Sequence, residues 1–350
     1  MKKILFLLIG AILLLSGCGI SDSTESDFDS QEYLMPGVPV TISLTAVGDC
    51  TLASDTNAMG KNSFVKMYDS EETDSSYFLA NVRHIFENDD LTIVNFEGTL
   101  SDKGKRKAKT YAFRGKPEYV NILSDSSVEA ANLANNHSRD YGDISYDDTG
   151  AILSANGIVW FEGKNVAVKD VKGVKVGLIG ANLLEKKGRR EFLQNLEYLN
   201  SLNPDLIVAN FHWGTEKAST PNKVQKEYAR MAIDNGADLV IGHHPHVLQG
   251  VEEYNGKYIL YSLGNFCFGG NKNPSDKDTA IFRQSFTFVG NDLVDSGSPE
   301  LIPCSVSSEK KRNTYQPTPL YGEDFEKVKE KIKKRSKKFP GIENVIFTQG

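Results

Sequence analysis

From residue 41 onward, short apolar runs alternate with stretches of helical periodicity, and each run ends in a polar motif. Residues 41–47 alternate with the two-residue period of a strand and stop at Gly48-Asp49. The run 91–94 stops at Asn95-Phe96-Glu97, and 128–134 at Asn135-Asn136-His137. Residues 174–179 lead to Gly180-Ala181-Asn182, and 206–210 to Phe211-His212-Trp213-Gly214. Residues 237–241 run into Gly242-His243-His244-Pro245-His246, and 258–262 into Leu263-Gly264-Asn265-Phe266. If the chain leaves the 237–241 strand extended, His244 and His246 point to one side, with Pro245 keeping His244 out of the helical region.

Helical periodicity predicts helices over 76–87, 145–156 and 191–202. Another starts near 221, with Thr220 as N-cap and Asn235-Gly236 as its stop, and a last one spans 324–338. Residues 279–289 and 301–306 read as a strand pair joined by a polar turn. Near-continuous apolar strands alternating with amphipathic helices predict an α/β layered fold, buried β-sheets flanked by helices. In such folds ligands bind beyond the carboxyl ends of the strands, where these polar motifs lie. One domain over 41–340, followed by a tail at 341–350, accounts for the pattern without a repeat.

The N-terminus departs from it. Lys2-Lys3 precede an apolar run over 4–15, shorter than the ~20 residues needed to span a bilayer. This predicts a signal peptide over 1–17. Leu15-Ser16-Gly17-Cys18 resembles a bacterial lipobox, which implies cleavage before Cys18, a lipid on its thiol and an extracytoplasmic place at the cell membrane. Residues 18–40 are acidic and poor in apolar side chains, an expected tether. Removing 1–17 takes away two lysines and moves the net charge from −6 to −8, which argues against a nucleic-acid partner. Besides Cys18 there remain Cys50, Cys267 and Cys304, with no zinc-cluster spacing.

The strand-end groups Asp49, Glu97, Asn136, His137, His212, His244 and His246 form an oxygen and nitrogen donor set without thiolates. It suits manganese, iron, zinc or magnesium, as one or two ions. Gly-Asp at 48–49, Asn-x-Glu at 95–97, Ala-Asn-Asn-His-x-x-Asp-x-Gly at 134–142, His-Trp-Gly-x-Glu at 212–216, Gly-x-His-Pro-His at 242–246 and Tyr-Ser-Leu-Gly-Asn-Phe at 261–266 resemble the CapA family of capsule synthesis proteins. The resemblance implies a metallophosphoesterase-like fold and a part in making poly-γ-glutamate capsule. It also implies a fuller metal site of Glu97, Asn136, His212 and His244, and a poorer one of Asp49, Glu97 and His246. The second is poorer because Thr51 stands where metallophosphoesterases carry a histidine.

The same resemblance makes His137 the catalytic acid or electrostatic donor, with Asp140 either orienting its ring or forming a turn. Asn95, Asn135 and Trp213 are expected to face substrate, as are Glu216, unless it backs the ligands, and Asn265, unless it caps a loop. His243 is expected to be structural, His84 a surface residue and Cys50 a packed small side chain. The stretch 103–116 interleaves seven Lys and Arg residues with Tyr111 and Phe113, either a solvated loop or a landing strip for an anionic polymer. Arg114 is the preferred anion contact.

The expected protein is an exported lipoprotein acting in synthesis, export or anchoring of such a polymer through a metal-containing pocket. Hydrolysis of a phosphoester or amide is the expected chemistry. The expected partners are the polymer, the membrane and a membrane-bound synthase. A non-catalytic subunit that binds polymer or synthase, and a general envelope phosphoesterase, are the alternatives.

Overall fold

The computed structural model describes residues 37–57, 60, 62–70 and 73–350. The signal peptide and lipidated Cys18 expected from the sequence lie outside the described residues.

Two large sheets pack face to face. In the first, the strand Pro39–Thr51 runs parallel to Leu91–Phe96, which runs parallel to Ala130–Asn132 and then Val159–Phe161. On its other side Pro39–Thr51 pairs antiparallel with Asp278–Val289, which pairs with Glu300–Ser305. The second sheet has Lys257–Leu260, Leu239–His243, Leu206–His212 and Val174–Asn182 in parallel, with antiparallel edges Val251–Tyr254 and Ala167–Val171.

Every residue of Leu91–Phe96 and of Leu206–His212 is buried, because each strand is covered on both faces. Inner-face residues Ile42, Leu44, Ile93 and Ala130 meet Val176, Leu178, Val208 and Ile241 of the second sheet in one apolar layer. Outside the first sheet, Val94, Phe96 and Ala131 pack with Phe78, Ile85, Phe86 and Leu153. Outside the second, Ile207, Ala209, Phe211 and Val240 pack with Phe192, Leu196 and Leu199 of Lys186–Ser201 and Ala229, Ala232 and Ile233 of Lys223–Asp234. The result is the expected α/β layering.

Several boundaries differ from expectation. The 76–87 stripe is two short helices, Ser75–Leu79 and Arg83–Phe86, both seated by the same apolar side chains. The helix expected near 221 is Lys223–Asp234, and its N-cap is Asn222, not Thr220. Asn222 and Gln225 form a reciprocal capping box that Thr220 does not enter. The polar link between the C-terminal strand pair is itself a strand, Asp292–Ser296, paired with Asp278–Val289. The first strand begins at Pro39, inside the stretch read as tether. Residues 341–350, read as a tail, include Ile346–Phe347, which pairs with Glu300–Ser305 and extends the sheet.

Both sheets deliver their parallel strands' carboxyl ends to one edge of the sandwich. Two glycines let the chain close in there. A Cβ at Gly48 would lie 2.1 Å from the Gly264 carbonyl, and one at Gly242 would lie 2.2 Å from the Tyr261 carbonyl.

Candidate metal centre

Asp49, at the end of Pro39–Thr51, is fully buried. Its Oδ1 accepts from Asn95 Nδ2 at 2.8 Å and lies 3.3 Å from His243 Nδ1. Its Oδ2 lies 3.1 Å from His246 Nδ1 and accepts from the His244 backbone N–H at 3.3 Å. Glu97 follows the neighbouring strand and is also fully buried, yet neither carboxylate oxygen has a hydrogen-bond partner. Its Oε1 sits 3.7 Å from His137 Nε2 and 3.9 Å from His212 Nε2. His212 Nε2 lies 2.7 Å from Asn136 Oδ1. The rings of His212 and His244 are 4.8 Å apart, and those of His244 and His246 5.8 Å. The structure thus brings Asp49, Glu97, Asn136, His137, His212, His244 and His246 together.

The route for the last two differs from expectation. The strand ends at His243, and both His244 (φ 95°) and His246 (φ 56°) have positive φ, so the segment is a strained turn rather than an extended pair. The Gly242 approach and the Asp49 carboxylate that receives His244 N–H hold it. Asn265 Oδ1, 2.8 Å from His246 Nδ1, anchors that ring, so Asn265 contacts a candidate ligand.

Electrostatics follow from burial. Burial pushes the Glu97 carboxyl up to about 7. Burial acts the same way on Asp49, but hydrogen bonds from His243 and His246 prevail and hold it well below the carboxylate range. Burial works against a charged His246, yet the charges of Glu97 and Asp49 carry it up to about 9. Burial, then the charge of His246, brings His244 down to about 4, and burial with His244 takes His212 well below its ordinary value.

A fully buried carboxylate with no donor is costly, and His212 and His244 each leave Nδ1 buried without a partner. One ligand atom from each of Asp49, Glu97 and His246 falls within 4.8 Å of the others. The residues fit a divalent cation.

His137 is set from behind. Its Nδ1 lies 2.7 Å from Asp140 Oδ2, and Asp140 also accepts from Lys109 Nζ at 2.6 Å and Phe113 N–H at 2.7 Å. Asp140 therefore orients the ring and leaves Nε2 toward the site. Phe113 packs on the same ring at 4.4 Å between centroids. Lys109 was not singled out by the sequence; its only signal was membership of the basic stretch.

Other expectations are corrected. Asn95 does not face substrate: it is fully buried behind Asp49 and accepts from Asn132 Nδ2 at 2.9 Å. Asn135 shapes the turn, accepting from His137 N–H and donating to the Phe96 carbonyl. Trp213 is fully buried and donates to the Tyr261 carbonyl, so it is core rather than pocket wall. Arg114 holds the Lys103 and Gly104 carbonyls and lies 3.7 Å over the Tyr141 ring, because its neighbour Phe113 takes the face toward His137. It makes no contact with the cavity. His243 touches Asp49, and His84 is exposed. Cys50, Cys267 and Cys304 are free and buried.

A cavity of about 530 Å³ opens above the centre, lined by His137, His246, Glu216, Lys217, Phe113 and Phe268 among others.

Residues 43–270 match the family described as bacterial capsule synthesis protein PGA_cap. The chain is 33% identical over 211 residues to the PGA biosynthesis protein CapA of Bacillus subtilis (53% of this chain, 55% of the relative). It is 29% identical over 271 residues to the capsule biosynthesis protein CapA of Bacillus anthracis (67% and 66%). The chain therefore spans between half and two thirds of the length of these curated relatives. Among solved structures, a 5'-nucleotidase from Candida albicans aligns over 84% of this chain and 58% of its own, with a TM-score of 0.42 and 12% identity, too loose a likeness to build on. On the match over residues 43–270, this chain belongs to the PGA_cap family of bacterial capsule synthesis proteins.

Proposed function

We propose that this protein acts in the synthesis, export or anchoring of an anionic capsule polymer such as poly-γ-glutamate, as a metal-dependent hydrolase whose site is the cavity beside Glu97. The polymer class is supported by the two Bacillus relatives, one a PGA biosynthesis protein and the other a capsule biosynthesis protein. The observation that carries the chemistry is the buried, unpartnered Glu97 carboxylate amid Asp49, His212, His244 and His246. Glu97, Asn136, His212 and His244 would hold a cation together, with Asp49 and His246 beside them. When bound, it supplies Lewis-acid polarisation of a phosphoryl or carbonyl oxygen.

The chain's own residues do the rest. Asp140 accepts a hydrogen bond from His137 Nδ1–H, which fixes the ring so that Nε2 accepts or passes a proton at the cavity floor. Phe113 and Phe268 flank His137 and His246 and keep water from one side of each ring. Lys217 and Lys272 line the cavity wall and attract anionic substrate. A lipid on Cys18 would keep the domain at the outer face of the cell membrane, within reach of nascent polymer and its synthase.

Elemental analysis of the purified wild type, His212→Ala and Glu97→Gln proteins, run beside hydrolysis assays on poly-γ-glutamate and a chromogenic phosphodiester, tests this reading. Metal in the wild type, its loss in both variants and hydrolysis that follows metal content support it. Equal metal content in all three overturns it. Metal without hydrolysis of either substrate leaves the non-catalytic, polymer-binding subunit in its place.

A further inference from the structure

We propose that Glu216, His244 and His246 form a divalent-cation site at the mouth of the cavity, and that Glu216 is its decisive ligand. The proposal rests on the reading of the pocket as a metal centre and goes beyond it, because it adds an outer position whose carboxylate donor lies outside the Asp49 and Glu97 set. One ligand atom from each of the three side chains lies within 4.8 Å of the other two. Two imidazoles and one carboxylate are a donor set for zinc, manganese or ferrous iron. His244 is buried and its Nδ1 has no hydrogen-bond partner, the condition of a ring that a cation completes.

The backbone explains why a loop carboxylate reaches this place. Residues 213–217 run beside the histidine turn and are tied to it twice. Trp213 N–H donates to the His243 carbonyl at 3.1 Å, and Lys217 N–H donates to the Pro245 carbonyl at 2.8 Å. These bonds bracket Glu216. Between them Gly214 takes φ 84°, and a Cβ there would come within 2.7 Å of the Gln225 side chain. The positive φ angles of His244 and His246 complete the arrangement, since the strained turn brings both rings within reach of Glu216.

His246 also belongs to the deeper set with Asp49 and Glu97, and His244 would be shared with Glu97, Asn136 and His212. A ring shared between two positions cannot serve both fully. The deep and outer sites therefore fill unequally, and only the outer one depends on Glu216.

Calorimetric titration of metal-stripped full-length protein in detergent with Mn²⁺ and Zn²⁺ tests this. Wild type, Glu216→Gln, Glu216→His and Glu97→Gln are compared. Glu216 is exposed, so its variants should keep the wild-type melting temperature. The expected result is two unequal binding events in wild type. Glu216→Gln should lose one of them or weaken it at least tenfold, Glu216→His should keep it, and Glu97→Gln should weaken the other. Metal binding that is identical in wild type and Glu216→Gln overturns this inference and leaves the metal centre standing. No binding by wild type removes both.

Discussion

Asp140 is the residue on which the candidate acid depends. It is 1% exposed and satisfies Lys109, Phe113 N–H and His137 at once. Asp140→Ala leaves the buried Phe113 N–H and His137 Nδ1 without their acceptor, and each buried donor left unsatisfied costs about 1–3 kcal/mol. Urea unfolding should show a loss of about 3 kcal/mol with metal content unchanged; an unmoved midpoint would count against the bracing role. Asp89 sets a pH dependence away from the site. Burial raises its carboxyl to about 7, against hydrogen bonding that includes Thr92 Oγ1 at 2.7 Å. The folded state then holds a proton that the unfolded chain gives up near pH 4. This stabilisation is full at low pH and is lost as pH rises through 7, because the folded state binds more protons across that window. Asp89→Asn should gain stability at pH 8 on the order of 3 kcal/mol and flatten the pH profile between 4 and 7. Urea titrations at several pH values give the comparison, and parallel profiles for the two proteins would refute the assignment.

Among the elements, the helix Lys223–Asp234 shows how a local signal misleads. Thr220-Pro221 has the composition of a helix start, but Asn222 two residues later offers a capping box with Gln225, which satisfies two backbone donors instead of one. Asn222→Ala should cost about 1 kcal/mol and Thr220→Ala under about 0.5 kcal/mol. Equal effects in thermal melts would return the cap to Thr220. The 76–87 stripe was legible as an apolar face because Phe78, Ile85 and Phe86 do reach the core. Its break between Leu79 and Arg83 was not legible, since the same spacing serves one helix or two short ones. Arg114 and Phe113 make the same point for a strand: neighbours alternate faces, and only the packing of Phe113 on His137 decided which face looked inward.

At the level of the whole molecule, two sheets meet so that motifs far apart in sequence share one edge. Asp49 accepts from the backbone of His244, 195 residues later, and His212 meets Asn136 across 76. No described helix is long and apolar enough to cross a membrane, and the proposed attachment is a lipid on Cys18. Cys18→Ser should shift the protein from the membrane fraction to the soluble one, or leave a larger unprocessed precursor. Unchanged fractionation with unchanged apparent mass would rule out the lipid anchor.

Residue order alone determined the central strands, the layered class and the polar motifs at the strand ends, because apolar periodicity is local and survives any packing of the elements. Edge strands such as Asp292–Ser296 and Ile346–Phe347 escaped it. It also carried the family, through six short motifs in order. The tertiary structure decided which motif residues touch. Asn95, Asn135 and Trp213 sit in the same motifs as the candidate ligands, yet backbone and core contacts take them behind the site. Lys109 and Glu216 come from loops whose course depends on contacts with distant turns, the Asp140 carboxylate for one and the Pro245 carbonyl for the other. Such contacts have no period, so a motif can name Glu216 and a basic stretch can hold Lys109 without showing what either one touches.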